Sequence, residues 1–326
     1  MFFRFLLGAG LALVLLTSCM SASMYTSRVE ARYPPLGDFM PYENGELHVI
    51  SRGEGAPVLM IHGASANARE FMFTLVPELD EAQLNLIMVD RPGHGYSDRF
   101  DDADELGEQA RAMAAAVRAN AEGPVVVVGH SFGGAVALRF ALDYPELTRS
   151  VVLLAPVTHD WGSGGVAWYN SIAAFPGVGH VFSQFAPLVG PDMARSSLED
   201  LFSPAPVPVN YAENLGVDLL FRPPAFRSNA HDMVRLREEL NAQQSRYPTE
   251  LVRQVVVFSG SFDTVIKPSL HAARLRRDAP EYIVLVPLDD EGHMPHHAKA
   301  GLIAETIARL ANGESVQRSD FEELAG

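Results

Sequence analysis

Three features of the amino-acid sequence predict an α/β fold with a mostly parallel central sheet, flanking helices and an inserted, mainly helical cap. Short apolar, β-branched segments alternate with helical patterns, as expected for strands buried on both faces of a parallel sheet. The alternation stops after Val157 and resumes near Leu251. One strand-like segment, Val125–Val128, runs directly into the glycine-rich sequence Gly129–Gly133 and a helical pattern. Together these features predict one α/β body that carries a single insertion.

The individual elements follow from the same periodicities. Strands are predicted at Glu46–Ser51, Val58–Ile61, Leu84–Val89, Val125–Val128, Val151–Leu154, Val255–Phe258 and Tyr282–Val286. Crossover helices with small, alanine-rich packing faces are predicted at Glu105–Asn120 and Gly134–Tyr144. The interval without strands, which is rich in aromatic residues, Gly and Pro, is interpreted as the cap. The predicted domains are a signal peptide at 1–18, a tether at 19–36, core segments at 37–157 and 248–326, and the cap at 158–247.

Composition and charge exclude several classes of protein. The chain has 326 residues, of which 48% are hydrophobic and 20% charged, close to the average for globular proteins, so a large core is expected. The formal net charge of −15 opposes binding to nucleic acid or to anionic lipid headgroups, because both require a positive surface field. We therefore expect no nucleic-acid partner, and the sequence leaves the oligomeric state open.

The first residues have the pattern of an export signal. Arg4 precedes the apolar run Phe5–Leu16, which is short for a membrane-spanning helix. The sequence Leu16-Thr17-Ser18-Cys19 resembles the lipobox of bacterial lipoproteins, in which the cysteine is lipidated and becomes the new N-terminus. Cys19 is the only cysteine in the chain, so an internal disulfide is excluded and an attachment point is favoured.

This pattern predicts an exported protein that is lipid-anchored in the cell envelope, at the outer membrane or on its periplasmic face. The polar, proline-containing segment 19–36 is interpreted as a tether between the anchor and the globular body. An uncleaved anchor helix and an ordinary cleaved signal are the alternatives.

The sequence Gly129-His130-Ser131-Phe132-Gly133 lies between a predicted strand and a predicted helix, which is the context of a nucleophile elbow. A serine at the tip of so sharp a turn brings neighbouring backbone close, and side chains two positions away would collide with it. Glycines at 129 and 133 remove those side chains. Ser131 is therefore the candidate nucleophile, with an ordinary glycine-rich turn as the alternative.

A serine nucleophile needs an adjacent general base, which in turn needs an orienting carboxylate. His293 follows the last predicted strand, where a loop can carry its imidazole over the elbow, and it is the candidate base. His296 and His297 are nearby rivals. The candidate acid is Asp263, which lies just past the strand Val255–Phe258, at the sheet edge where catalytic groups gather.

Asp160, just past the strand Val151–Leu154, is the alternative acid. The oxyanion of a tetrahedral intermediate needs preorganised N–H donors. The Phe132 N–H, at a helix N-terminus, and the Ala64 N–H, in the loop after Val58–Ile61, are the candidates. Clustered histidines also raise the possibility of a zinc site, but no Cys, His or Asp pattern with ligand spacing accompanies them. No metal and no cofactor are expected.

These motifs together resemble the α/β-hydrolase superfamily, in its capped serine-hydrolase branch. The matching segments are Leu59–Ala64, Asp90–Ser97, Gly129–Gly134, Gly260–Asp263 and Gly292–Pro295. The resemblance extends over about residues 37–311, apart from most of the cap. It implies that Ser131, Asp263 and His293 form a catalytic triad and that Ala64 and Phe132 supply the oxyanion hole. Related dehalogenases and epoxide hydrolases carry aspartate at the nucleophile position, so the serine argues against both activities.

The resemblance implies a serine hydrolase, and the expected substrates are carboxylic esters. The aromatic residues of the predicted cap favour an apolar pocket roof and apolar acyl groups. They are both tryptophans of the chain, Trp161 and Trp168, with Tyr169, Phe175, Phe182, Phe185, Phe202, Tyr211, Phe221 and Phe226. A serine-dependent C–C bond hydrolase is an alternative, for which Arg195, Arg222 and Arg227 are the candidate basic groups. A non-catalytic ligand-binding protein of the same fold is another.

Overall fold

The computed structural model describes residues 2–79 and 83–322. The described residues form a single eight-stranded sheet in the order β1-β2-β4-β3-β5-β6-β7-β8. The strands are β1 (Asp38–Tyr42), β2 (Gly45–Arg52), β3 (Ala56–Ile61), β4 (Leu84–Val89), β5 (Val125–His130), β6 (Thr148–Leu154), β7 (Val255–Gly260) and β8 (Ile283–Leu288). β2 is antiparallel to both of its neighbours, and all other pairs are parallel. The predicted mostly parallel sheet is therefore confirmed.

Helices cover both faces of the sheet and make up the cap. They are α1 (Phe2–Arg32), α2 (Arg69–Met72), α3 (Leu106–Asn120), α4 (Phe132–Asp143), α5 (Trp168–Ala174), α6 (Val178–Ser183), α7 (Ala186–Ser196), α8 (Leu198–Phe202), α9 (Tyr211–Leu215), α10 (Pro223–Gln244), α11 (Tyr247–Glu250), α12 (Ala272–Asp278), α13 (Pro295–Ala298), α14 (Ala300–Ala311) and α15 (Ser319–Glu322). Short 3₁₀ turns occur at Val76–Glu78 and Val217–Phe221.

Two apolar layers enclose the sheet. One lies between the sheet and α3, α4 and α12, and the other between the sheet and α2 and α14. The four valines Val125–Val128 of β5 are fully buried, as expected for a central strand covered on both faces. These layers hold the carboxyl ends of the parallel strands at one edge, where the candidate site residues lie.

The sequence patterns did not predict β1. This strand lies at the edge of the sheet, contains Pro41, and leaves Phe39 43% exposed. An edge strand that is solvated on one side needs no apolar alternation, and proline is tolerated there because its missing N–H costs no ladder hydrogen bond. The apolar pattern that predicts the other strands is therefore absent from this segment.

The helices α5–α11 all lie between β6 and β7, so the insertion is mainly helical. Its longest helix, α10, packs against α5, α6 and α7. Aromatic and aliphatic side chains of these helices form a separate apolar cluster above the sheet. The fold class with an inserted cap is thus confirmed.

Arg91 joins the cap to the core. Its side chain is fully buried, and its Nη1 donates to Asp232 Oδ2 at 2.7 Å and to Gln109 Oε1 at 2.8 Å. Its Nε donates to the His62 carbonyl at 3.2 Å, and its Nη2 to the Gly63 carbonyl at 3.1 Å. A single guanidinium thus contacts α10 of the cap, α3 and the loop after β3, and its charge is paired inside the protein.

The segment 19–36 differs from the predicted tether, because α1 continues to Arg32. Ala22, Val29 and Tyr33 are buried on one face of this helix, and Val29 and Tyr33 form an apolar cluster with Leu219 of the cap. Their spacing corresponds to one face of a helix, but polar neighbours obscure the pattern in the sequence.

The predicted lipidation site Cys19 and the predicted signal peptide from residue 2 onwards lie in α1. Met1 of the predicted signal peptide and residues 323–326 of the predicted core lie outside the described residues. Within the described ranges, no helix is long and apolar enough to cross a membrane. Cys19 is exposed.

We expect Asp232→Ala to lower the free energy of unfolding by about 3–5 kcal/mol, because Arg91 would remain buried without its carboxylate partner. Denaturant-induced unfolding measures the change. Asp160→Ala is the matched control, since it removes a partly exposed ion pair with Arg237 and should cost about 1 kcal/mol or less. Equal losses in the two variants would contradict the importance of the buried pair.

Candidate active site

Ser131 lies at the turn between β5 and α4, with φ 50° and ψ −114°. This left-handed conformation is unfavourable for a residue with a side chain and exposes the hydroxyl at the tip of the turn. A Cβ atom on Gly133 would lie 2.1 Å from the Ile61 carbonyl oxygen, and one on Gly129 would lie 2.4 Å from the Gly133 carbonyl oxygen. Both glycines are therefore required by the close approach of backbone around Ser131.

The structure brings Ser131, His293 and Asp263 into one hydrogen-bonded series. His293 Nε2 lies 3.1 Å from Ser131 Oγ, and His293 Nδ1 lies 2.8 Å from Asp263 Oδ2. Because a carboxylate only accepts hydrogen bonds, Nδ1 carries the proton and Nε2 is left to accept from the serine hydroxyl. All three residues are buried. This arrangement can remove the serine proton as the oxygen attacks an electrophile.

The second carboxylate oxygen of Asp263 is also held in place. Asp263 Oδ1 accepts hydrogen bonds from the Val265 N–H at 2.9 Å and the Ile266 N–H at 2.7 Å. Asp160, the alternative acid, instead pairs with Arg237 at 2.9 Å and accepts from the Gly162 N–H at 3.0 Å. Asp263 is therefore the carboxylate that orients His293.

The rival histidines face other groups. His296 Nε2 lies 3.3 Å from Glu70 Oε1, and the His297 ring packs edge-on against Phe202 and Tyr211. Burial lowers the pKa of His296 to about 4 and the pKa of His297 to about 3. Neither histidine hydrogen-bonds to Ser131 in the described part of the chain.

The candidate oxyanion donors lie beside the nucleophile. Phe132 is the first residue of α4, and its N–H has no hydrogen-bond partner within the described residues. The Gly63 carbonyl accepts from Arg91 Nη2 at 3.1 Å and lies 2.8 Å from His62 Nδ1. Because a trans peptide is planar, the Ala64 N–H points away from that carbonyl. Ala64 and Ser131 line the same cavity, which places the Ala64 backbone beside the candidate nucleophile.

Asn229, a cap residue outside the sequence motifs, also holds this loop. Asn229 Oδ1 accepts from the Ser65 N–H at 2.7 Å, and Asn229 is buried at the cavity wall. The Ser65 N–H is thereby occupied, whereas the Ala64 N–H has no hydrogen-bond partner among the described residues. Asn229 is 164 residues from Ser65, and no local pattern marks such a contact.

The environment of His293 favours its neutral form. Burial lowers the pKa of His293, and the charge of His130 acts in the same direction, while the hydrogen bond to Asp263 opposes both. A neutral imidazole is the form that accepts a proton. His293 therefore stays neutral, and able to act as a base, at a lower pH than an ordinary histidine.

Three buried groups beneath the nucleophile have the chemistry of metal ligands. One ligand atom from each of Glu70, His130 and His296 lies within 4.8 Å of the others. No sequence pattern marks Glu70, since a single carboxylate on a helix as short as α2 has no distinguishing spacing.

A cavity of about 580 Å³ opens above Ser131 and His293. Its walls are mainly apolar side chains of the cap. Among the predicted aromatic roof residues, those that line it are Trp168, Tyr169, Phe182, Phe185, Tyr211, Phe221 and Phe226. Trp161, Phe175 and Phe202 do not. No lysine or arginine lines the cavity in the described part of the chain.

Comparisons with known proteins agree with this architecture. A family model of the alpha/beta hydrolase fold matches residues 56–300. Lipase LipV of Mycobacterium tuberculosis is 37% identical over 115 residues, 34% of this chain and 42% of the lipase. A 2-hydroxy-6-oxo-6-phenylhexa-2,4-dienoate hydrolase of Burkholderia cepacia is 32% identical over 130 residues, 39% of this chain and 44% of that protein. The matches thus span less than half the length of these relatives.

A solved esterase from Exiguobacterium antarcticum superposes with a TM-score of 0.67 at 20% sequence identity, and the match covers 85% of this chain and 99% of the esterase. This likeness supports the fold alone.

The rate at which a fluorophosphonate probe labels Ser131 should fall as the pH drops through the His293 pKa, because an imidazolium cannot accept the serine proton. Since that pKa is lowered, the midpoint should lie below the ordinary histidine value of about 6.5. Labelling is followed by mass spectrometry across the pH range, with Ser131→Ala as the unlabelled control. A midpoint above that value would contradict the assignment.

Proposed function

The chain belongs to the family of proteins with the alpha/beta hydrolase fold, and on this premise we propose that it is a serine hydrolase of carboxylic esters with apolar acyl groups. One observation carries the proposal: the hydrogen-bonded series Ser131–His293–Asp263 lies at the base of an apolar cavity. The name of one similar protein, a lipase, supports the same class of reaction.

In the proposed reaction, Ser131 Oγ attacks the ester carbonyl carbon while its proton passes to His293 Nε2. The alcohol then leaves and takes that proton, which produces an acyl-enzyme on Ser131. Water next attacks the acyl carbonyl and gives a proton to His293, which returns it to Ser131 as the acid departs. Asp263 stabilises the imidazolium that forms in both halves of the cycle.

The negative oxygen of each tetrahedral intermediate is assigned to the N–H groups of Ala64 and Phe132. Loss of one such donor typically costs about 2.7–4 kcal/mol of transition-state stabilisation. The N-terminus of α4 adds a favourable dipole at the same point. These donors belong to the backbone, so their positions depend on the loops that carry them.

The cavity supports uncharged, apolar acyl groups. Its lining residues include the carboxylates of Glu70 and Asp200, and the described part of the chain supplies no lysine or arginine to the lining. Of the basic cap residues, Arg195 pairs with Asp218 at 2.8 Å and Arg222 pairs with Glu30 at 2.8 Å. An anionic acyl chain would therefore lose its hydration without gaining an ion pair.

A serine-dependent C–C bond hydrolase is the second candidate, because the Burkholderia cepacia relative is named for that kind of substrate. Such a dicarbonyl acid carries a carboxylate, for which the described lining offers no arginine or lysine. The absence of an arginine or lysine from the described lining therefore favours ester hydrolysis over C–C bond cleavage. Non-catalytic ligand binding ranks last, because a binding protein has no need of a hydrogen-bonded triad.

The proposed location is the cell envelope, with a lipid anchor at Cys19. The lipobox-like sequence and the exposure of Cys19 support it. The negative net charge does not favour electrostatic attachment to anionic lipids, so anchoring would depend on the acyl chains.

Ser131→Ala should abolish hydrolysis of p-nitrophenyl esters without unfolding the protein, because the exchange removes the attacking hydroxyl alone. Asp263→Asn should lower kcat by about four orders of magnitude, since asparagine favours the wrong tautomer of His293. Asp160→Asn is the matched control and should change kcat little. Full turnover by Ser131→Ala, or the reverse order of the two aspartate variants, would reject the assignment.

Esters with uncharged acyl chains should be hydrolysed with a higher kcat/KM than esters of equal length that end in a carboxylate. The reason is the mainly apolar lining, which has no lysine or arginine within the described residues. Steady-state kinetics with matched p-nitrophenyl butyrate and hemisuccinate esters measure the ratio, which we expect to exceed about tenfold, or about 1.4 kcal/mol. An equal or inverted ratio would contradict the apolar pocket.

Cells that express the full chain should incorporate labelled palmitate into the protein, and Cys19→Ser should abolish this labelling because the thiol is the predicted attachment point. Fractionation should show the wild-type protein with membranes. The catalytic residues lie far along the chain, so the specific activity of Cys19→Ser should match the wild type. An unlabelled, freely soluble wild-type protein would exclude the anchor.

A further inference from the structure

We infer that Glu70 and His130 are positioning residues that act as one buried ion pair. The pair holds the oxyanion loop, defined as residues 62–65, and the loop that carries His293 in fixed positions relative to Ser131. The inference rests on the proposed function and extends it. It follows from the contacts of two side chains that the proposed reaction does not itself use.

Glu70 connects the oxyanion loop to the elbow. It lies on α2 and is 4% exposed. Its Oε2 accepts the Gly63 N–H at 3.0 Å, and its Oε1 is in direct contact with His130 Nδ1. Gly63 is thus held on both sides, by Glu70 at its N–H and by Arg91 at its carbonyl. These contacts fix the peptide plane that presents the Ala64 N–H.

His130 connects the elbow to the His293 loop. It directly precedes Ser131, and its Nε2 lies 3.1 Å from the His293 carbonyl oxygen. Its Nδ1 faces the Glu70 carboxylate. A carboxylate and a carbonyl oxygen only accept hydrogen bonds, so His130 satisfies both when both ring nitrogens carry protons. The geometry therefore favours an imidazolium, and Glu70 supplies its counter-charge.

The charges agree with this geometry. Burial disfavours the cation, but the Glu70 carboxylate outweighs it and raises the pKa of His130. Burial likewise disfavours the ionised Glu70, yet His130 holds the pKa of that carboxyl well below its usual range. The other ionisable groups that face His130 are Asp263 after β7, His293, and His296 of α13.

The pair also acts on the general base. The rings of His130 and His293 are 5.0 Å apart between centroids, and the His130 charge lowers the pKa of His293. Replacing His130 with a neutral residue should therefore raise that pKa. A purely structural role of His130 would not shift the pH profile in this direction.

The test uses the full chain with Glu70→Gln, His130→Gln and the double variant, assayed with p-nitrophenyl butyrate. Each single variant should lower kcat at least about tenfold. Complete loss of an oxyanion donor lowers kcat about 10²–10³-fold, and a displaced donor should lose part of that effect. KM should change by less than about threefold, because the pair contacts loops and not the apolar walls. The double variant should be no slower than the slower single variant, since either change breaks the same unit.

In His130→Gln, the acid limb of kcat/KM should shift to higher pH. Glu239→Gln is the matched control: it also removes a carboxylate that accepts a backbone N–H, that of Leu106, and faces a cation, Arg235. Glu239 lies on α10 outside the cavity lining, so this control should keep the wild-type kcat. Thermal unfolding shows whether each variant is folded. If Glu70→Gln does not fold, His130→Gln carries the test.

Three results would overturn the inference: unchanged kcat in a folded Glu70→Gln or His130→Gln, additive losses in the double variant, or a stoichiometric metal in the purified protein that Glu70→Gln loses. The last result would make Glu70, His130 and His296 a ligand set. Ser131→Ala distinguishes failure of the proposed function from failure of the ion-pair inference. Hydrolysis by Ser131→Ala would reject the proposed function itself, whereas an inactive Ser131→Ala beside a fully active Glu70→Gln would reject only the ion-pair inference.

Discussion

The backbone of Ser131 is the constraint on which the rest of the site depends. A φ of 50° costs a serine about 1–3 kcal/mol, so surrounding contacts must hold it. They do so because Gly129 and Gly133 let the elbow and the loop after β3 approach at distances that a side chain would block. The same turn ends β5, begins α4 and presents both the hydroxyl and the Phe132 N–H. One local geometry thus determines where the nucleophile, the helix N-terminus and the oxyanion donors meet.

Buried charges hold the surrounding loops in this geometry. Arg91 connects α10 of the cap to the carbonyls of the oxyanion loop, and Glu70 holds the N–H of Gly63 in that loop. Charges removed from water are tolerated when they are paired and fully hydrogen-bonded. Each pair joins segments that are distant in sequence, so the cap and the catalytic loops form one connected unit. The cavity walls in the cap and the proposed catalytic residues in the core are therefore physically linked.

The sequence was sufficient where local periodicity or motif chemistry determines structure. The buried parallel strands and the elbow could be predicted, because β-branched runs and the Gly-x-Ser-x-Gly spacing carry their own physical reasons. The edge strand β1 could not, since an exposed strand needs no apolar pattern. The helix within the segment 19–36 could not be predicted, because its buried residues Val29 and Tyr33 are separated by polar residues in the sequence. Glu70 was missed because its partner His130 is distant in the chain, and such pairs exist only after folding.

The central claim is that an acyl group is transferred to Ser131 in a cavity that admits apolar chains. The most direct measurement is mass spectrometry of protein quenched in acid during turnover of p-nitrophenyl butyrate, followed by digestion. The account predicts a butyryl mass increment on the peptide that contains Ser131, more abundant when deacylation is slowed by low temperature and absent from Ser131→Ala. Rapid turnover with no increment on that peptide, or an increment on a different residue, would contradict it.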